Sequence, residues 1–367
     1  MEMYNWQQKD WPHFTYQSES VENELYAFTE RSGIVTGMFK AISEEAQNET
    51  IINTLVSEAI KTSAIEGEFL SRNDVLSSVR NNLGLTFDTS VKDKRVQGLS
   101  SLMVRVRNTF TEPLTEKTLF EWHALLMNHR NDIETGKWRT HNEPMQVISG
   151  AFGKIKVHFE APPSGLVPGE MKNFVVWFNE SSPGGKKEIK KAPVRSAIAH
   201  LYFESIHPFE DGNGRIGRAI AEKALSQGIG RPVLLSLSKA IETDRKTYYA
   251  ELQMAQRSLE ITPWIKYFSR TILTAQTDSE IEIEFTLKKA RFFDKFRDRL
   301  NERQLTVIRR MLEEGPRGFE GGMNARKYVS LCRISKPTAT RDLQYLTEIG
   351  AFKVSGGGRS TSYQVNL

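Results

Sequence analysis

The sequence predicts a mainly α-helical protein of more than one domain, with two small β-hairpins set among the helices. Three observations carry this. Apolar residues recur at helical spacing in most of the patterned segments. Strand-like patterns are confined to residues 136–163 and to the last sixteen or so residues. A length of 367 residues with 39% hydrophobic content suffices for two or three cores.

At the amino end, Trp6 and Trp11-Pro12 place aromatics around a polar turn. Helices are expected at about 21–39 and 50–66. In the second, Ile51, Ile52, Leu55, Val56, Ala59 and Ile60 form an apolar stripe, and Gly67 is a natural helix end. Residues 136–163 read as turns and short strands, because Ile155, Val157 and Phe159 alternate with Lys156 and His158. Pro193 opens a helix whose mostly apolar pattern, from Val194 to Ile206, suits a buried element. Pro208 disfavours helical backbone at His207, so the chain turns out there. A new helix starts near Asn213 or Gly214 and carries Ile216, Ala219, Ile220 and Leu225 at helical spacing. Tyr248 and Tyr249 follow a helix start at Thr243-Asp244 and are assigned to the core.

Phe285, Phe292, Phe293, Phe296 and Leu300 suggest one amphipathic helix leading into a last module. There a helix with Leu305, Ile308 and Leu312 ends at Gly315-Pro316, and a short one spans Asn324 to Leu331. Residues 333–335 make a turn. A third helix follows with Pro337 in its first turn, Ala339, Leu343 and Leu346 facing inward, and Thr338, Arg341 and Gln344 outward. Two short strands, 352–354 and 362–365, joined through glycines, close the chain as a hairpin.

Composition narrows the function classes. A single cysteine, Cys332, excludes an internal disulfide framework and fits a reducing cytosol. No apolar run approaches a membrane span, and the first residues lack the basic start and apolar core of a signal peptide. A cytoplasmic protein without membrane contact is expected. The histidines show no zinc-ligand spacing, and no phosphate-binding P-loop motif is present. The net charge is +5, unevenly placed: residues 288–367 hold 17 Lys/Arg against 8 Asp/Glu, the remainder 33 against 37. Positive charge therefore collects in the last fifth of the chain, as in a module that faces nucleic acid.

The chemistry concentrates in His207-Pro-Phe-Glu-Asp-Gly-Asn-Gly-Arg-Ile-Gly-Arg218. Gly212, Asn213 and Gly214 stand at a helix start, where free backbone N–H groups and the helix dipole bind phosphate. Arg215 and Arg218, three apart, share one helix face, and their guanidinium forks suit phosphate oxygens. Asp211 is placed to hold Mg²⁺ against those phosphates. His207 can take a proton from an attacking hydroxyl near neutral pH. In-line attack at phosphorus requires mainly positioning and charge neutralisation, which these groups supply. A second pattern is Thr62-Ser-Ala-Ile-Glu66-Gly67, whose Thr62 and Glu66 lie on one helix face.

The dodecapeptide resembles the signature of the Fic family at every fixed position. The resemblance implies transfer of AMP from ATP, with Mg²⁺, to a Ser, Thr or Tyr hydroxyl of a target protein, and automodification is compatible with it. By the same resemblance His207 is the base, Asp211 the metal ligand, residues 212–214 and Arg215 the phosphate cradle, and Arg218 the γ-phosphate contact. The string from Thr62 to Gly67 resembles the family's inhibitory motif, which implies that Glu66 pairs with Arg218 and takes the γ-phosphate's seat. Ile155, Lys156, Val157 and His158 correspond to the flap that aligns a target's backbone. The implied architecture is an α-helical Fic core with a β-hairpin flap, an amino-terminal helical extension and a carboxy-terminal winged helix-turn-helix. The expected domains are 1–105, 106–280 and 281–367. The sequence leaves open whether the winged helix meets DNA or a protein, and whether the chain forms a homodimer. It also leaves open phosphate or phosphocholine transfer, AMP removal, and a transcriptional regulator whose core only senses nucleotide.

Overall fold

The computed structural model describes residues 3–85, 91–149 and 156–367. Helices dominate them. In chain order they are α1 (Glu22–Lys40), α2 (Glu44–Ile65), α3 (Arg72–Asn82), α4 (Lys94–Asn108), α5 (Glu116–Leu126), α6 (Val167–Glu180), α7 (Ala192–Ile206) and α8 (Asn213–Ile229). After these come α9 (Leu237–Thr243), α10 (Arg245–Ala255), α11 (Thr262–Phe296), α12 (Glu302–Leu312), α13 (Ala325–Cys332) and α14 (Lys336–Glu348). Strands β1 (Gln146–Ser149) and β2 (Lys156–Glu160) form one antiparallel hairpin; β3 (Phe352–Ser355) and β4 (Ser362–Val365) form another. The chain divides into two compact units, Met1–Gly33 with Ile51–Thr277, and Ile34–Thr50 with Asp278–Leu367.

The first unit is organised around α7. Every residue of α7 is buried, as expected of a helix that is apolar on most of its circumference. One of its faces, with Tyr202, Phe203 and Ile206, joins a core with Trp122 of α5, Phe174 of α6 and Ile216 and Ile220 of α8. The other, with Val194, Ile198 and Leu201, joins a second core with Leu225 of α8, Tyr248 of α10 and Trp264 and Phe268 of α11. One buried polar side chain binds three of these helices. Buried Arg195 donates to Ser181 Oγ, to the carbonyls of Phe178 and Ala224, and to Gln227 Oε1, which ties α6, α7 and α8 together.

The first hairpin pairs Val147 with Phe159 and Ile148 with Val157, with a bulge between Val147 and Ile148. Its base is anchored: Phe159 is buried and meets Tyr4 edge-on at 5.1 Å, and Trp6 Nε1 donates to the Glu160 carbonyl at 2.8 Å. Further along, Ile148 and Val157 are exposed. Of the flap residues expected from the sequence, Lys156, Val157 and His158 lie in β2, and Ile155 lies outside the described residues.

In the second unit α12, α13 and α14 enclose Val307, Ile308, Met311, Tyr328, Leu343 and Leu346. Side-chain caps set their starts: Asn301 with Gln304 in a capping box, Asn324 for α13 and Ser335 for α14. Buried Asp342 accepts from Tyr328 Oη at 3.0 Å and Gln304 Nε2 at 3.3 Å, fixing α14 on its neighbours. Hairpin β3–β4 follows, with Phe352 paired to Val365. The order of three helices and a hairpin is that of the expected winged helix. Arg341 and Gln344 are exposed and Thr338 is half-buried. The leading helix is α11. It is continuous over the 35 residues of α11, because no proline or glycine interrupts the chain between Pro263 and Leu300.

Candidate active site

The loop between α7 and α8 is held by groups on three sides. His207 closes α7 in a left-handed conformation (φ 50°), its N–H donating to the Phe203 carbonyl at 2.9 Å. Few non-glycine residues adopt this backbone, and Arg139 secures it from beneath. Its buried guanidinium donates to the carbonyls of Ile206, His207 and Pro162 and to Ser164 Oγ, and its own N–H donates to the Pro208 carbonyl at 2.9 Å. Burial brings the Arg139 pKa down to about 10, so the charge persists at neutral pH. Because Pro162 follows β2 closely, this one side chain ties the base of the hairpin to the loop.

Asn213 holds the loop from within. Its Oδ1 accepts the Phe209 N–H at 2.9 Å and its Nδ2 donates to the Phe209 carbonyl at 2.8 Å. The Asn213 side chain is thus spent on the loop, and only its backbone remains for an anion. Buried Phe209 stacks on His123 at 4.1 Å. Burial lowers the His123 pKa to about 4, so the ring is neutral. Its Nδ1 accepts the Gly136 N–H at 2.8 Å, which puts the hydrogen on Nε2, 3.2 Å from the Asp211 carbonyl it serves.

α8 carries Arg215 and Arg218, both buried on one face. Each meets a carboxylate that follows α2. Arg218 donates to Glu66 Oε1 at 2.7 Å, to Thr62 Oγ1 at 2.8 Å and to the Thr62 carbonyl at 3.0 Å. Burial works against the Arg218 charge, but Glu66 more than offsets it and raises the pKa above its ordinary value. Arg215 meets Glu68 Oε2 at 3.1 Å and Asp211 Oδ1 at 3.6 Å. The turn that ends α2 makes the double pairing possible. Gly67 is left-handed (φ 81°), with Gly67 N–H to the Ala64 carbonyl at 3.1 Å and Glu68 N–H to the Ser63 carbonyl at 2.9 Å. Glu66 approaches the α8 backbone so closely that a Cβ at Gly214 would lie 2.3 Å from its Oε1. A carboxylate therefore rests where the start of a helix attracts anions.

α2 is itself firmly docked. Buried Glu58 accepts from Ser236 Oγ at 2.8 Å, from the Ser238 N–H at 2.9 Å and from Ser238 Oγ, all at the start of α9. Arg245 donates to the last carbonyls of α2, Ala64 at 3.3 Å and Ile65 at 3.1 Å. Tyr248, assigned to the core from sequence, is buried and bonds His200, whereas Tyr249 is partly exposed. Glu66 and Arg218 both act on the Tyr249 hydroxyl, although burial is the main reason its pKa rises to about 12.

Asp211 is the group chemically suited to Mg²⁺: a half-exposed carboxylate beside the helix start. Its Oδ1 accepts the Gly212 N–H at 2.6 Å, and its Oδ2 meets Arg130 at 2.6 Å. Arg130 also grips Asp132 with Nε and Nη2, which, with Asp211, raises its pKa. A guanidinium thus already meets Asp211 Oδ2, the oxygen for which a metal would compete. His207 Nδ1 points back along α7 toward Glu204, 3.4 Å from its Oε2. Sequence reasoning did not single out Glu68, Arg130, Arg139 or Glu204. For Glu204 a signal existed, an acid inside a mostly apolar run.

Residues 113–225 match the model of the Fic/DOC family, and residues 4–85 match a domain of unknown function, DUF4172. The chain is 26% identical over 212 residues to a protein adenylyltransferase Fic of Nematostella vectensis, covering 57% of this chain and 45% of that one. It is 25% identical over 213 residues to a protein adenylyltransferase fic-1 of Caenorhabditis elegans, covering 57% and 38%. It therefore spans less than half the length of these relatives. Among solved structures, a Fic family protein from Desulfovibrio desulfuricans superposes with a TM-score of 0.54 at 21% identity over 97% of this chain and 98% of that one. A Fic-domain signalling protein from Bacteroides thetaiotaomicron gives 0.53 at 18% over 70% and 97%. At such identities these structures establish the fold alone.

Proposed function

We propose that this chain, which carries a Fic domain, transfers AMP from ATP to a Ser, Thr or Tyr hydroxyl of a protein, itself included, and that Glu66 restrains the reaction. The observation that carries the reading is the Glu66 carboxylate, 2.7 Å from buried Arg218 and pressed against the start of α8. An internal anion in that position marks the seat of a phosphate, and a removable one makes a brake. The relatives named adenylyltransferase support ATP as the donor.

In this reading the N–H groups at residues 212–214 and the Arg215 guanidinium hold the phosphates. Asp211, once released by Arg130, would hold Mg²⁺, whose charge offsets that of the phosphates. With Glu66 withdrawn, Arg218 takes the γ-phosphate and the α-phosphorus is presented to the target. His207 accepts the proton of the attacking hydroxyl; the oxygen–phosphorus bond forms and pyrophosphate leaves. The exposed edge of hairpin β1–β2, with Ile148 and Val157 outward, suits registration of a target backbone by main-chain hydrogen bonds. Intact-mass spectrometry of Glu66→Gly after incubation with Mg-ATP tests the reaction. A gain of AMP that disappears in Glu66→Gly/His207→Ala is expected. A gain of phosphate, or of nothing at all, overturns it and points to phosphoryl transfer, AMP removal or nucleotide sensing.

For the carboxy-terminal unit we favour contact with duplex DNA. Lys336, Arg341, Gln344 and Tyr345 are exposed along α14, the helix that follows the turn of a helix-turn-helix. Affinity falling steeply with salt, and a slope reduced by about one in Arg341→Ala, supports this reading. Binding that ignores salt assigns the face to a protein.

A further inference from the structure

α7 buries a carboxylate that the chemistry above leaves unused. Glu204 stands one helical turn before His207 and is 4% exposed. Its Oε2 lies 3.4 Å from His207 Nδ1, and the His207 side chain is itself 17% exposed. Neither His207 Nδ1 nor Glu204 Oε1 finds a hydrogen-bond partner among the described residues. The fold makes room for this acid. A Cβ at Gly217 would lie 2.3 Å from Glu204 Oε1 and 3.2 Å from His200 Cε1, so glycine lets α8 pass closely over Glu204 and His200. His200, one turn further back, is fixed by Tyr248 Oη at 2.8 Å from its Nε2.

A buried carboxylate without a partner is costly and is normally neutralised by a proton. Here burial does push the Glu204 pKa up, but His207, His200 and Arg218 outweigh it, and the pKa ends below its ordinary value. The acid is thus an anion whenever the imidazole beside it, 3.4 Å away, is charged. A carboxylate anion only accepts hydrogen bonds. The one donor that a neutral His207 can offer it is Nδ1–H, and an imidazole with its hydrogen there carries its lone pair on Nε2.

We propose that Glu204 is the positioning residue of His207: it accepts Nδ1–H, fixes the tautomer whose Nε2 is the free base, and stabilises the imidazolium formed during transfer. The proton moves from the attacking hydroxyl to Nε2, and Glu204 remains unprotonated throughout. The contact at 3.4 Å shortens when the ring becomes charged, as hydrogen bonds of resting sites do. Carboxylates that orient a base histidine in this way are a general device of acyl-transfer sites. The inference rests on the reading of His207 as the base in AMP transfer.

Two measurements test it. The first is the ¹⁵N NMR tautomer of His207, assigned by its loss in His207→Gln and recorded with and without Glu204→Leu. Hydrogen on Nδ1 in the parent, moving to Nε2 in Glu204→Leu, is expected. Hydrogen on Nε2 in the parent overturns the proposal. The second is kinetic, in the Glu66→Gly background. Glu204→Leu, or Glu204→Gln should leucine upset the fold, is expected to lower kcat about a hundredfold. The KM for ATP is expected to stay within twofold, which a general loss of structure would not spare. An unchanged kcat overturns the proposal. If the Glu66→Gly parent shows no AMP transfer, the function proposed above fails, and the tautomer still decides the place of Glu204.

Discussion

Replacing Glu66 by glycine removes one defined contact, and its consequence can be scaled. Glu66 Oε1 receives a charge-assisted hydrogen bond of 2.7 Å from Arg218, whose side chain is 1% exposed while that of Glu66 is 30% exposed. Hydrogen bonds to charged groups contribute about 1.5–3 kcal/mol, and the partial exposure of Glu66 favours the lower part of that range, about 1.5–2 kcal/mol. A competing phosphate must overcome this. At about 1.4 kcal/mol per factor of ten, Glu66→Gly therefore raises productive occupancy, and with it the rate of automodification, roughly 10- to 30-fold. The gain is bounded because Arg218 keeps Thr62 Oγ1 at 2.8 Å and the Thr62 carbonyl at 3.0 Å. The assay is the initial rate of labelled AMP incorporation per protein at saturating Mg²⁺ and ATP below saturation. Rates within twofold of each other, with both proteins folded, refute the argument that Glu66 holds the phosphate's place.

Other residues make separate predictions. Glu68→Gln frees Arg215 from a weaker contact of 3.1 Å and is expected to raise the same labelling rate about threefold to tenfold; no change excludes Glu68 from the restraint. Arg139→Ala leaves the Ile206, His207 and Pro162 carbonyls without their shared donor, which costs about 3 kcal/mol or more and lowers Tm by roughly 6–12 °C in thermal scanning. Burial and the neighbouring Glu58 carboxylate raise the Glu222 pKa to about 8, with Arg107 opposing them. Because the folded-state value lies above the ordinary 4.5, the stability it confers is complete below that value and is lost as pH rises through about 8. Tm is therefore expected to fall between pH 5 and pH 9, and Glu222→Gln to flatten that slope.

The loop was legible because its chemistry is contiguous. In residues 207–218, proline, glycines and arginines each dictate a local geometry, and the helices on both sides follow from apolar spacing. The pairing of Glu66 with Arg218 crosses 152 residues, and no local pattern predicts it; the expectation came from the family likeness. Glu68 was missed because its reach toward Arg215 depends on the left-handed turn at Gly67, which sequence identifies only as a helix end. Arg130 and Arg139 sit in an irregular segment, where a lone arginine reads as solvated surface. Apart from Asp132, which is local to Arg130, their partners are groups that the tertiary fold brings near: Asp211 for Arg130, and backbone carbonyls and Ser164 Oγ for Arg139. Of the expected flap residues, Lys156, Val157 and His158 lie in β2, and Ile155 lies outside the described residues.

The central claim is that the start of α8 seats a nucleotide's phosphates where Glu66 now rests. Calorimetric titration of Mg-ATP into Glu66→Gly, and into Glu66→Gly/Arg215→Ala, tests it most directly. Saturable uptake by the first protein and at least a tenfold weaker response from the second are predicted. Equal heats in the two, or none in either, would contradict the account.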